Sequence, residues 1–91
     1  MIKVLVPTQL QKLTGGKSEV FISECCDILS LIDKLNEDFP GIKNRICDEG
    51  GNIRRFVNIF LNGEDIRFLE KEKTKLENEC EISIVPAVSG G

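Results

Sequence analysis

The 91-residue chain contains no histidine, no tyrosine and no tryptophan. Without imidazole or phenol, acid–base chemistry is left to carboxylates, lysines and thiols, and the commonest metal ligand is missing. Long apolar runs are also absent. Stretches such as Ile59-Phe60-Leu61 fall far short of the roughly 20 residues that cross a bilayer. The opening Met1-Ile2-Lys3-Val4-Leu5-Val6 is cut off at once by Pro7. It has neither the basic start nor the extended apolar stretch of a signal peptide, so a cytoplasmic protein with no membrane partner is expected. Positive charge is scarce: 12 basic residues face 15 acidic ones, for a net charge of −3. The basic residues are scattered along the chain, which argues against a nucleic-acid partner. Cysteine pairs with metal-ligand spacing are missing too, because Cys25 and Cys26 are adjacent while Cys47 and Cys80 stand alone. No metal site is expected, and in a reducing compartment the four thiols read as small apolar or neutral residues.

What is present is an ordinary globular balance, 41% apolar and 30% charged, sufficient for one core near the lower size limit of independent folding. Residues 1–6 alternate as a strand with Ile2, Val4 and Val6 on one face. Pro7 to Lys17 reads as a loop closed by Gly15-Gly16, and Ser18 to Ile22 as a second strand returning beside the first. Asp27 is placed to N-cap a helix carrying Ile28, Leu31, Ile32 and Leu35 at helical spacing. Phe39-Pro40-Gly41 ends that helix. A short helix over Lys43 to Cys47 and a turn at Gly50-Gly51 follow. Residues 56–61 form the clearest strand, Asn62-Gly63 a hairpin turn, and Ile66 to Leu69 a short strand after it. The Glu/Lys-rich 70–81 reads as a solvated connection, and 81–86 as the last strand. One helix can cover only one face of such a sheet.

Most candidate chemistry in the sequence is weak. Thr14-Gly15-Gly16-Lys17-Ser18 resembles the end of a phosphate-binding loop, but position 11 is Gln11 where that motif needs glycine, and a strand follows where it needs a helix. Glu64-Asp65 and Asp48-Glu49 fall in turns, where carboxylates are solvated. Cys25 and Cys26 precede a helix whose dipole could lower a thiol pKa, yet no base stands near in sequence. The end of the chain is different. Gly90-Gly91 has no Cβ atoms, so a narrow channel in a partner could admit it and leave the carboxylate open.

Four segments carry a family resemblance: PTQLQKLTGGK at 7–17, FPGI at 39–42, RFVNIFLNGEDIRFLE at 55–70 and SIVPAVSGG at 83–91. Together they resemble the ubiquitin-like β-grasp family, in its bacterial and archaeal sulfur-carrier branch. That branch includes the small subunit of molybdopterin synthase, the thiamin-pathway carrier and the carrier of cysteine biosynthesis. PAVSGG and RFVNIFLNGEDIRF look most like the cysteine-biosynthesis carrier and related molybdopterin-synthase-like proteins, and less like the thiamin carrier. The resemblance implies an α+β fold, a mixed sheet of four to five strands on one main helix, with a β-grasp domain over 1–86 and a flexible tail over 87–91. It implies a carrier and not an enzyme. A ubiquitin-activating-type enzyme would consume ATP to adenylate Gly91, and a sulfur donor would convert it to a covalent thiocarboxylate. Gly90 would pass through the partner's channel, with Pro86, Ala87, Val88 and Ser89 as the extended arm. The acceptor would be a cysteine-synthase-like enzyme or the large subunit of a molybdopterin synthase. No bound cofactor is implied, and the carrier alone is expected to be a monomer.

Alternation along the strands adds a docking surface. If Val57, Ile59 and Leu61 are buried, Phe56 and Phe60 face away; by the same logic Leu5 and Val85 face away. Leu5, Phe60 and Val85 then form an exposed apolar patch beside the root of the tail, unless the 7–17 loop folds over it. Phe60→Asp is expected to spare folding and weaken docking. Three other readings use the same residues: a modifier joined through Gly91 to target lysines, a permanent synthase subunit, and an interaction module with an idle tail.

Overall fold

The computed structural model describes residues 1–86; the expected tail at 87–91 lies outside them. Strand β1 (Ile2–Leu5) and strand β2 (Glu19–Ile22) form an antiparallel hairpin, pairing Ile2 with Ile22 and Leu5 with Glu19. Helix α1 (Ile28–Asp38) follows, and then the single-turn helix α2 (Ile42–Ile46). Strands β3 (Val57–Leu61) and β4 (Glu64–Asp65) make a second hairpin, and β5 (Glu81–Pro86) closes the chain. The sheet order is β2-β1-β5-β3-β4, with β1 and β5 parallel and every other pair antiparallel. A parallel neighbour needs a long crossover, and the chain from β2 to β3 supplies it through both helices.

Helix α1 starts where Asp27 accepts a hydrogen bond from the Ser30 amide at 2.9 Å and from the Ser30 hydroxyl at 2.8 Å. Those bonds satisfy one of the orphan amides of the first turn. Ile28, Leu31, Ile32 and Leu35 are all buried along one stripe. The helix ends as the Phe39 amide donates to the Leu35 carbonyl, and Gly41, at φ +101°, turns the chain into α2. Asn36 Oδ1 accepts from the amides of Gly41 and Lys43 and ties the two helices together. The sheet answers with Ile2, Val4, Val20, Ile22, Val57, Ile59, Ile82 and Ile84, all buried. The result is one core between a single helical layer and one face of the sheet.

Three segments depart from the sequence reading. Residues 8–14 are a 3₁₀ helix within the expected loop, because Leu10 reaches the core and Thr14 is buried between the carbonyls of Gln11 and Lys17. The expected strand at Ile66 to Leu69 is instead a 3₁₀ turn over Ile66–Phe68, after a two-residue β4. Asp65 Oδ1 accepts from the Arg67 amide at 2.9 Å and curls the chain, so that Ile66 is buried while Phe68 is 83% exposed. A strand would have put both on one face. Within the solvated connection, Thr74 and Cys80 are buried, and Asp27 and Lys75 form an isolated bridge that seats the segment against the start of α1.

Candidate functional site

The sheet face opposite α1 carries Leu5, Phe60 and Val85, as alternation predicts. The register places them finely. Leu5 pairs with Ser83, and Ser83 pairs on its other side with Phe60, so these three lie in one cross-strand row. Strands sit about 4.8 Å apart, which separates Leu5 from Phe60 by roughly 10 Å with a small hydroxyl residue between them. Val85 stands one alternation further along β5, opposite Asn58. Leu5, Ser83 and Val85 line a shallow depression together with Pro7, Thr8 and Pro86, and Phe60 stands across Ser83 from it. Leu5 and Phe60 are half-buried, and Val85 is 41% exposed. The start of the 7–17 segment does reach this face, with Pro7, Thr8 and Gln9 lining the depression at its Leu5 and Val85 side, whereas Leu10 belongs to the core and Leu13 packs against it. Lys3 edges the depression, 3.6 Å from a carboxylate oxygen of Glu19 and 3.9 Å from one of Glu81.

The depression leads to the base of the tail. Pro86, paired with Val57 at the end of the ladder, has no amide hydrogen to donate, so sheet pairing of β5 stops there without leaving an orphan donor. Strand β5 is held on both sides, by β1 and by β3. Gly90, Gly91, Ala87, Val88 and Ser89 lie outside the described residues.

Two aromatic residues need correction or addition. Phe56 is 52% exposed, but it sits in the turn before β3 and not on the open face. It lines a groove of about 330 Å³ with Leu10, Arg45, Ile46 and Pro86, on the other side of the tail root. The Val57 amide donates to the Arg54 carbonyl, and this turn breaks the alternation that would have grouped Phe56 with Phe60. Phe21 is a residue the sequence reading missed. It is 56% exposed and lies opposite Lys3 on the open face. The alternation Val20-Phe21-Ile22 carries the signal that would have found it.

The remaining candidates have local structural work. Asp48 Oδ1 accepts from the amides of Gly50 and Asn52 and shapes the turn at 48–52. Burial pushes the thiols of Cys25, Cys47 and Cys80 above their ordinary value, so none of these is an activated thiolate; at Cys25 the nearby Lys34 only partly opposes the burial. Cys47 and Cys80 serve as small core residues. Among the described residues, no group of three Asp, Glu or Cys side chains is placed to hold a metal ion. No helix among them is long and apolar enough to cross a membrane.

Comparison with known proteins agrees with this architecture. The sulfur carrier protein CysO of Mycobacterium tuberculosis is 38% identical, over 99% of this chain and 98% of its own. The structure of an Amycolatopsis orientalis BexX/CysO complex contains a chain that superposes with a TM-score of 0.92 at 33% identity, covering 100% of both chains. Small archaeal modifier protein 1 of Methanosarcina acetivorans superposes at 0.84 with 30% identity, over 99% of this chain and 95% of that one. The five-stranded mixed sheet on one main helix is the β-grasp fold expected from the sequence. The ThiS family matches residues 4–91, and this chain belongs to it.

Proposed function

We propose that the protein is a cytoplasmic sulfur carrier that works through the carboxylate of Gly91. An ATP-dependent activating enzyme would bring that carboxylate to the α-phosphorus of ATP, releasing pyrophosphate and leaving an acyl-adenylate. A sulfide sulfur would then displace AMP and leave Gly91 as a thiocarboxylate. The terminal sulfur, a soft nucleophile, would be passed to an acceptor enzyme without release of free sulfide. A cysteine-synthase-like acceptor is the leading candidate, with a molybdopterin synthase large subunit as the alternative. The carrier contributes no acid or base of its own, which fits a chain without histidine.

One observation carries the reading: the family match runs through Gly91. The fold makes it mechanically sensible. Strand β5, which leads to the diglycine, is the central strand, so a partner gripping the tail pulls on the best-anchored part of the sheet. The apolar patch of Leu5, Phe60 and Val85 lies on the sheet face beside Pro86, where a partner holding that tail would press.

The test is intact mass spectrometry after incubation with ATP, sulfide and the activating enzyme of the same organism. The expected product carries one sulfur in place of one oxygen in its C-terminal fragment, and deletion of Gly90-Gly91 abolishes it. A persistently plain carboxylate would overturn the carrier role. A second reading, conjugation of Gly91 to target lysines, is favoured by the likeness to an archaeal modifier protein. Lysine-linked C-terminal fragments in cell extract would support that reading.

A further inference from the structure

The basic residues that look scattered in the sequence are gathered in space. Arg54 lines a cavity of about 300 Å³ with Arg55, Arg67 and Lys71, over a floor that includes Val57, Ile59 and Ile66. Arg54 also lines the groove that holds Arg45, Phe56 and Pro86. All four arginines of the chain thus form a continuous crescent that begins at the root of the tail. Among the described residues only Glu72 adds a carboxylate to these two linings, and Asp48 shares a neighbouring hollow with Arg54, Arg55 and Phe56, so five cations face two anions in a chain of net charge −3. Asp48 already spends one carboxylate oxygen on the amides of Gly50 and Asn52. Among the described residues none of the five cations is in an ion pair, although Lys3 and Lys43 elsewhere are.

Two of the arginines are held in place by backbone. Arg54 donates from Nε and Nη2 to the Asn44 carbonyl, at 3.1 and 2.9 Å. Arg67 donates from Nη2 to the carbonyls of Arg55 and Val57 and to the side chain of Asn58. Their guanidinium planes are ordered before any partner arrives, so little further rotamer entropy is lost on contact. Arg45 and Arg55 are exposed with no side-chain bond among the described residues. Pre-ordered cations beside an apolar groove make a surface for carboxylates, with Phe56 as an aromatic anchor.

We propose that this arginine crescent is a second docking surface, on the α2 side of Pro86, for an acidic protein face beside the channel that receives the tail. The inference rests on the carrier reading, in which an activating enzyme binds that tail. The open-face depression would supply apolar contact, and the crescent would supply long-range steering and fix the orientation in which the tail enters. An acidic remainder around one basic crescent also disfavours approach by the wrong face.

The test compares Arg45→Glu/Arg55→Glu with Lys73→Glu/Lys75→Glu, which makes the same charge change on residues that line none of these grooves. Steady-state adenylation by the same organism's activating enzyme is followed by pyrophosphate exchange at several salt concentrations. For the unmodified carrier, KM should rise with salt. The arginine variant should show KM raised about tenfold at low salt, a flattened salt dependence and kcat at saturation retained. The lysine variant should stay within about twofold of the unmodified carrier on the same electrostatic argument. Equal KM values for the two variants would overturn the proposal, as would a salt-independent KM for the unmodified carrier. Saturation of the arginines by inorganic phosphate, seen by NMR, together with an unchanged KM would mark a small-anion site and also overturn it. No adenylation of the unmodified carrier would overturn the carrier reading itself, and this inference with it.

Discussion

Phe60 offers the sharpest test of the open-face depression, and the register decides how it should be changed. Phe60 lies directly opposite Asp65, so Phe60→Asp would set two carboxylates face to face and cost stability by cross-strand repulsion. Phe60→Lys removes the same apolar ring and sets an ammonium opposite Asp65 instead. Full burial of a phenylalanine side chain stabilises by ~1.5–3 kcal/mol. Phe60 is already half-buried in the free protein, so about half of that, near 1 kcal/mol, remains for a partner to gain. Desolvating the new ammonium in the interface adds to the loss. Together the expected penalty is about 1.4 kcal/mol, or roughly tenfold in KM for the carrier. The assay is pyrophosphate exchange by the activating enzyme, paired with a thermal melt of the free variant. A KM within about twofold of the unmodified carrier would refute the depression as a docking surface, since the burial argument leaves no smaller effect. A fall in melting temperature beyond about 8 °C, more than 1 kcal/mol for a domain of this size, would refute the placement of Phe60 at the surface.

Removing the helix cap by Asp27→Ala should lower stability by about 1 kcal/mol, read as a shift in denaturant midpoint. Hydrogen bonds from the Ser30 amide and hydroxyl hold the Asp27 carboxyl below its ordinary value of 3.8. Its charged form is therefore favoured by folding. That stability is present above pH 3.8 and is lost as pH falls through the lower folded value, so Asp27→Asn should flatten the acid limb of the stability curve. Gly63→Ala should cost about 1–2 kcal/mol from backbone strain alone, because Gly63 has φ +89° and an added Cβ would meet nothing within 4 Å. Alkylation of the native protein near neutral pH should mark Cys26 first, since it alone of the four thiols is exposed. Modification of Cys47 and Cys80 should wait for unfolding; their labelling at the rate of Cys26 would contradict their burial.

The regular elements were legible because each has one period and one partner face. Ile28, Leu31, Ile32 and Leu35 announce a helix stripe, and Asn62-Gly63 announces its hairpin through the positive φ angles of 50° and 89° that both residues adopt. The patch of Leu5, Phe60 and Val85 was legible for the same reason, since strict alternation assigns a face without knowledge of neighbours. Alternation fails where a local hydrogen bond, from a side chain or from the backbone, redirects the chain. Asp65 capping the Arg67 amide converts an expected strand into a turn, and the turn at 54–57 moves Phe56 to the other side of the tail root. Such local hydrogen bonds compete with ladder pairing on nearly equal terms, and period alone cannot rank them.

By itself the sequence determined the strand and helix stripes, the resemblance to ubiquitin-like sulfur carriers and the diglycine on which the proposed chemistry turns. These are local or contiguous properties, written in side-chain period and in the identity of a few consecutive residues. Tertiary structure alone decided that Ser83 lies between Leu5 and Phe60 in one cross-strand row, and that Asp65 opposes Phe60. It also gathered Arg45, Arg54, Arg55 and Arg67 into one crescent at the base of β5. Those facts depend on cross-strand register and on how α2 packs beside the start of β3. Both are fixed by burying the apolar stripes together, a condition on residues far apart in the chain that no short window of sequence contains.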